Sequence, residues 1–135
     1  MKEEYTLEIV TDQFTDGERE QITMNTTANI TGTADDYSIT YTDNDGDLKG
    51  CVTTLHVLNS RKISITRRGE YNSHIIIEKN VRHLSHHITP YMSFTMGISC
   101  LSVDSDFENG TLSFRYATDI EMVPAGEIEF SFKFA

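Results

Sequence analysis

The chain has 135 residues, 38% hydrophobic and 24% charged, with a formal net charge of −10. That is enough for one domain, residues 1–135, burying roughly two thirds of the surface the unfolded chain would expose. No apolar run nears the roughly 20 residues of a spanning helix, and so acidic a surface excludes nucleic-acid binding led by Lys and Arg and disfavours anionic membranes.

The opening residues Met1-Lys2-Glu3-Glu4-Tyr5-Thr6-Leu7-Glu8 are charged and alternate already, unlike a secretory signal, so the expected address is the cytoplasm. There Cys51 and Cys100 are read as reduced thiols within strands. Tyr5, Leu7 and Ile9 share a face of the first strand, because successive side chains of a strand point to opposite sides. Ile22, Met24, Ala28 and Ile30 share a face of a long second strand running up to Gly32. Tyr37, Ile39 and Tyr41 line a third, which ends in Asp43-Asn44-Asp45-Gly46-Asp47; its Asp-Gly pair predicts a hairpin, since Gly tolerates the positive φ of a tight turn. Cys51, Thr53, Leu55 and Val57 form the more apolar face of a fourth, and Asn59-Ser60 turns the chain into a fifth, Ile63-Ser64-Ile65-Thr66-Arg67, closing at Arg68-Gly69. Strands follow at 74–78, 81–88, about 92–104 and 112–120, with turns at Lys79-Asn80, Thr89-Pro90, Glu108-Asn109-Gly110 and Pro124-Ala125-Gly126. In the last strand Ile128, Phe130, Phe132 and Phe134 lie on one face and Glu127, Glu129, Ser131 and Lys133 on the other.

The reading is all-β, about ten strands joined by short turns with no room for crossover helices, which makes an antiparallel meander. So many strands exceed what a small open twisted sheet holds, and closure into an up-and-down barrel abolishes the edges. A two-sheet sandwich is the alternative architecture.

Arg67-Arg68-Gly69, Tyr71-Asn72-Ser73, Glu78-Lys79, Arg82-His83, Thr89-Pro90-Tyr91, the aliphatic strand from Gly97 to Val103 and Leu112-Ser113-Phe114-Arg115-Tyr116 resemble, in order and over nearly the whole chain, the bacterial YwiB-like proteins, a family of unknown function. That resemblance implies a closed antiparallel barrel of about 8–10 strands, similar to the calycins that include lipocalins, with an internal cavity as an option and no established activity. Three positions depart from the pattern. Met92 stands where a Gly is expected, His86-His87 replaces aromatic residues, and the absence of Trp removes the barrel closure used by lipocalins.

Metal and catalytic signals are weak. On one strand His83 and His87 share a face about 13 Å apart and His86 points away, too far for zinc nitrogens at roughly 2.0–2.1 Å. The acidic run at 43–47 fails as a calcium loop because Leu48 holds the glycine place and Thr54 that of the bidentate Glu. No Gly-x-Ser-x-Gly elbow or phosphate loop is present. Neither a metal, a cofactor nor a catalytic step is therefore expected.

Inward polar residues are the better lead. Arg67 continues the face of Ile63 and Ile65, and the same count places Arg82 and His86 with Leu84 and Ile88, and Tyr41 and Tyr116 on apolar faces. With Tyr91 beside Pro90 flanking the mouth, these predict an interior site for a small anionic or amphipathic molecule. Two alternatives remain open at this level. Arg67 and Arg82 could lie near the barrel mouths, paired with Glu78 or a loop carboxylate. The chain could also be a protein-interaction module with a filled core, since barrels of about eight strands can be filled by side chains alone.

Overall fold

The structure, a computed structural model, describes residues 4–44 and 49–135. Its ten strands are β1 (Glu4–Thr15), β2 (Glu18–Thr33), β3 (Asp36–Thr42), β4 (Val52–Leu58), β5 (Lys62–Arg68), β6 (Asn72–Glu78), β7 (Arg82–Ile88), β8 (Ser93–Asp106), β9 (Thr111–Ile120) and β10 (Val123–Phe134). They follow one another around a ring in chain order, every pair antiparallel, and β10 closes it against β1 with Ile9 opposite Phe132 and Thr11 opposite Phe130. This is the closed up-and-down barrel that the alternation predicts.

Several hairpins turn through left-handed backbone, whose twist matches that of paired strands. Asp16 and Gly17, at φ 50° and 79°, join β1 to β2, and Asn59 and Ser60, at 52° and 54°, join β4 to β5. The predicted turn at Pro124-Ala125-Gly126 is displaced: Glu121 and Met122 make it, at φ 52° and 72°. Their side chains carry no turn signature, but Asp119 Oδ1 accepts from the Met122 amide at 3.1 Å and holds the loop. Pro124 instead lies in β10 at a register shift, where a residue without an N–H is tolerated. The Asp45-Gly46 hairpin lies outside the described residues.

The interior is organised in rows that cross the strands. One runs Ile30, Ile39, Leu55, Ile65, Ile75 across β2 to β6, and another Tyr37, Val57, Ile63, Ile77 across β3 to β6. Every one of these is buried, Ile39, Val57, Ile63 and Ile77 fully. From the opposite wall Leu112, Phe114, Phe132 and Phe134 fill the space between, so side chains occupy the barrel centre. A depression of about 720 Å³ lies toward the termini and is lined by Thr6, Glu8, Asn25, Lys133 and neighbours, among them the core residues Leu7 and Phe134.

Two seams are incomplete. β2 pairs with β3 only over residues 28–33, leaving its first half to pair with β1 alone among the described residues. The β6–β7 ladder holds only Asn72 opposite Ile88 and Ser73 opposite His87, plus a bridge from Glu78 to Val81. Between them Ser85 Oγ donates to the His74 carbonyl at 2.8 Å, a side chain standing in for a ladder hydrogen bond.

Candidate functional site

The next row beyond the two apolar ones differs in chemistry. It runs Ala28, Tyr41, Thr53, Arg67, Ser73, His87 and Phe94 across β2 to β8, each directly opposite the next. Strand pairing alone therefore gathers a phenol, two aliphatic hydroxyls, a guanidinium and an imidazole at one mouth of the barrel. Loop residues Asp43 and Tyr71 and the β9 residue Tyr116 complete the cluster.

Arg67 is its centre, with a side chain only 12% exposed. Its Nε donates to Thr53 Oγ1 at 3.1 Å, and the Thr53 hydroxyl donates in turn to Asp43 Oδ2 at 3.1 Å. The same carboxylate oxygen stands 4.0 Å from Arg67 Nε, an ion pair joined through the threonine. Burial holds the Asp43 carboxyl above its ordinary value, with Arg67 and Thr53 pulling the other way. Burial likewise pushes the Tyr41 hydroxyl up to about 12 and raises those of Tyr71 and Tyr116, all three opposed by the charge of Arg67. One cation thus acts on three phenols at once, against the larger effect of their burial.

His87 forms the second half of the cluster. Ser85 spends its only hydroxyl proton on the His74 carbonyl, so its Oγ accepts from His87 Nε2 at 3.0 Å. Nδ1 is then the acceptor, and it takes the hydroxyl proton of Tyr71. The donors point one way, from Tyr71 through His87 and Ser85 to the backbone. The imidazole stacks on Phe94 at 5.0 Å, and burial, Arg67 and His86 lower its pKa, keeping the neutral ring this wire needs. Ser85 has no proton to give a base, so the arrangement does not activate a nucleophile.

Ser73 sits between Arg67 and His87 in the row. Its hydroxyl is buried and finds no hydrogen-bond partner among the described residues. An orphaned hydroxyl in a protein interior calls for a particular explanation, and a bound molecule supplies one.

Across the mouth Tyr116 stacks with Phe130 at 6.4 Å. Beyond them Ile128, Met24 and the half-exposed Ile22 continue an apolar shelf on the inner faces of β10 and β2. The mouth is amphipathic, polar on the β3–β7 side and apolar on the other.

A sequence model for a Domain of unknown function (DUF1934) matches residues 7–131. The chain belongs to the DUF1934 family. The DUF1934 barrel is also similar to the crystal structure of the ywiB protein from Bacillus subtilis, with a TM-score of 0.77 at 18% identity, covering 100% of this chain and 95% of that one. At that identity the likeness concerns the fold. No curated protein matches the chain.

Of the predicted site residues, the DUF1934 barrel brings Arg67, Tyr41 and Tyr116 together and turns Arg82, His86 and Tyr91 away. Arg82 and His86 do share a face with Leu84 and Ile88, but that face is the outer one, where Leu84 is 69% exposed. The strand is inverted: its polar Ser85 and His87 point in and its aliphatics point out. On the outside Arg82 reaches across β8 to clamp Asp119, Nε to Oδ2 at 3.0 Å and Nη2 to Oδ1 at 2.6 Å. Gly97 lies beneath this bridge, where a Cβ would come within 2.4 Å of both partners. The hydrogen bond to Asp119 raises the Arg82 pKa and lowers that of Asp119. His86 bonds Thr95 on the surface, His83 bonds Glu78 at 2.9 Å, and Tyr91 is 95% exposed in the β7–β8 loop.

Sequence reasoning missed Asp43, Thr53, Tyr71, Ser73, Ser85 and His87. Thr53 was within reach, because it shares the face of Leu55 and Val57. A register linking Arg67 to its neighbours would have exposed Ser73 and His87. Among the described residues no three His, Cys, Asp or Glu side chains converge as a metal site, and no helix is long and apolar enough to cross a membrane.

Proposed function

We propose that this protein binds a small anionic molecule with an apolar body at the barrel mouth, in the cytoplasm and without catalysing a reaction. The observation that carries the reading is the placement of Arg67, nearly buried, in one cross-strand row with Tyr41, Thr53, the partnerless Ser73 and His87. A guanidinium among hydroxyl donors suits a carboxylate or phosphate oxygen. Ile22, Met24, Ile128 and Phe130 offer the apolar body a shelf. With the centre filled, the ligand sits at the rim rather than deep within.

The test is a thermal-shift titration with octanoate and inorganic phosphate. Ligand at about 100 times its Kd stabilises by about 2.7 kcal/mol, a shift of several degrees at this size that Arg67→Met abolishes. Unchanged midpoints with both probes overturn the reading. They favour the second one, a protein-interaction module, for which the exposed Leu84 and Ile88 on the outer face of β7 and the exposed Met122 and Val123 at the β9–β10 turn speak.

A further inference from the structure

Resting on that reading, we propose that the Arg67 mouth takes up its anion together with one proton, which resides on the Asp43 carboxyl. The argument begins with the resting arrangement. Asp43 Oδ2 is the counter-charge nearest Arg67 among the described ion pairs, yet it stands 4.0 Å off and touches the cation through Thr53. Its side chain is 10% exposed, so water contributes little to holding its charge.

An anion entering the row meets Arg67 already neutralised by a carboxylate. It can take the guanidinium only by leaving Asp43 as a second negative charge a few ångströms away in a dry setting, and two such charges do not both persist. Among the described residues of the cluster no other group relieves this conflict. Thr53 is neutral, Tyr41, Tyr71 and Tyr116 are phenols held in the protonated state, and His87 is a neutral ring whose two nitrogens serve Tyr71 and Ser85. The proton balance is therefore anion plus proton plus ionised Asp43 on one side, and anion on Arg67 with a neutral Asp43 carboxyl on the other. Burial already biases Asp43 toward the neutral form. The Thr53 hydroxyl can reverse its direction, accepting from the new carboxyl proton and turning its own toward the bound anion.

Proton linkage of this kind weakens binding about tenfold per unit of rising pH wherever free Asp43 is ionised. Calorimetry with octanoate at pH 7, in two buffers of different ionisation enthalpy, is expected to count close to one proton taken up per octanoate. Asp43→Asn is expected to bring the count to zero and to leave affinity flat between pH 6 and 8. Octanoate binding without proton uptake by the unmodified protein overturns this inference and leaves the anion reading standing, whether or not the variant folds. Absence of binding at every pH, with phosphate as well, overturns both.

Discussion

The two ends of this barrel are built on the same alternation and finished in opposite chemistries. Toward the termini an aromatic plug closes the end: Tyr37 and Phe107 at 4.7 Å, Phe107 and Phe134 at 6.1 Å, Tyr5 and Phe134 at 6.1 Å. The hydroxyl of the buried Tyr37 is satisfied there, meeting Ser105 Oγ at 2.7 Å. At the other end one row carries a guanidinium, an imidazole and a hydroxyl without a partner. Facing is set by odd or even position, whereas a site arises from which residue types share a row, and most of the polar groups buried here are held by the links they make to one another.

Substitutions can break this contrast. The largest effect belongs to the packed interior: Phe114→Ala, which empties a position packed against Phe130 at 5.4 Å and Phe132 at 5.9 Å, is expected to lose about 3–5 kcal/mol in urea unfolding. At the mouth Thr53→Val, which keeps the shape but strips the link between Asp43 and Arg67, is expected to lose about 1–3 kcal/mol. A loss matching that of Phe114 would place the mouth and the packed interior on one footing. Ser73→Ala runs the other way. It removes an unsatisfied hydroxyl and is expected to be neutral or to gain about 1 kcal/mol in the unliganded protein, while weakening anion binding.

The finest probe is pH. With its pKa lowered in the folded state, His87 takes a proton more readily in the unfolded chain, so unfolding consumes protons as pH drops from about 6.5 toward the folded value. Stability is expected to decline over that window. His87→Gln should flatten the decline measured by urea midpoints at successive pH values, and an unchanged slope would detach the imidazole from the pH response.

Much of the architecture was readable because alternation is the direct imprint of a two-sided sheet. Ile63, Ile65 and Arg67, or Ile128 to Phe134, announce their faces without help. β7 was misread for a physical reason: Leu84 and Ile88 lie on the wet side, and Ser85 and His87 are kept inside by hydrogen bonds to Tyr71 and the His74 carbonyl that no one-dimensional pattern encodes. Asp43 and Tyr71 sit in loops, where parity carries no meaning. Pro124 suggested a turn because proline usually marks one, and only the pairing across β9 shows it inside a strand. Arg67 near a mouth with a loop carboxylate was one of the alternatives left open, and the ion pair with Asp43 at 4.0 Å accords with it.

The overhang of β2 carries a consequence for how copies of this protein coexist. Ring closure satisfies most peptide groups, but residues 18–24, short of the Asn25 carbonyl that accepts from Asn44 Nδ2 at 2.8 Å, present a ledge to solvent on one side among the described residues, a template on which a foreign strand could grow. Glu18 and Glu20 stand exposed along it, and Arg19 is turned back to Asp12 at 2.9 Å rather than left free to neutralise them. Like charges meeting across such a ledge keep neighbouring molecules from knitting their sheets together, so the acidity of the chain guards the longer of its two incomplete seams in crowded solution.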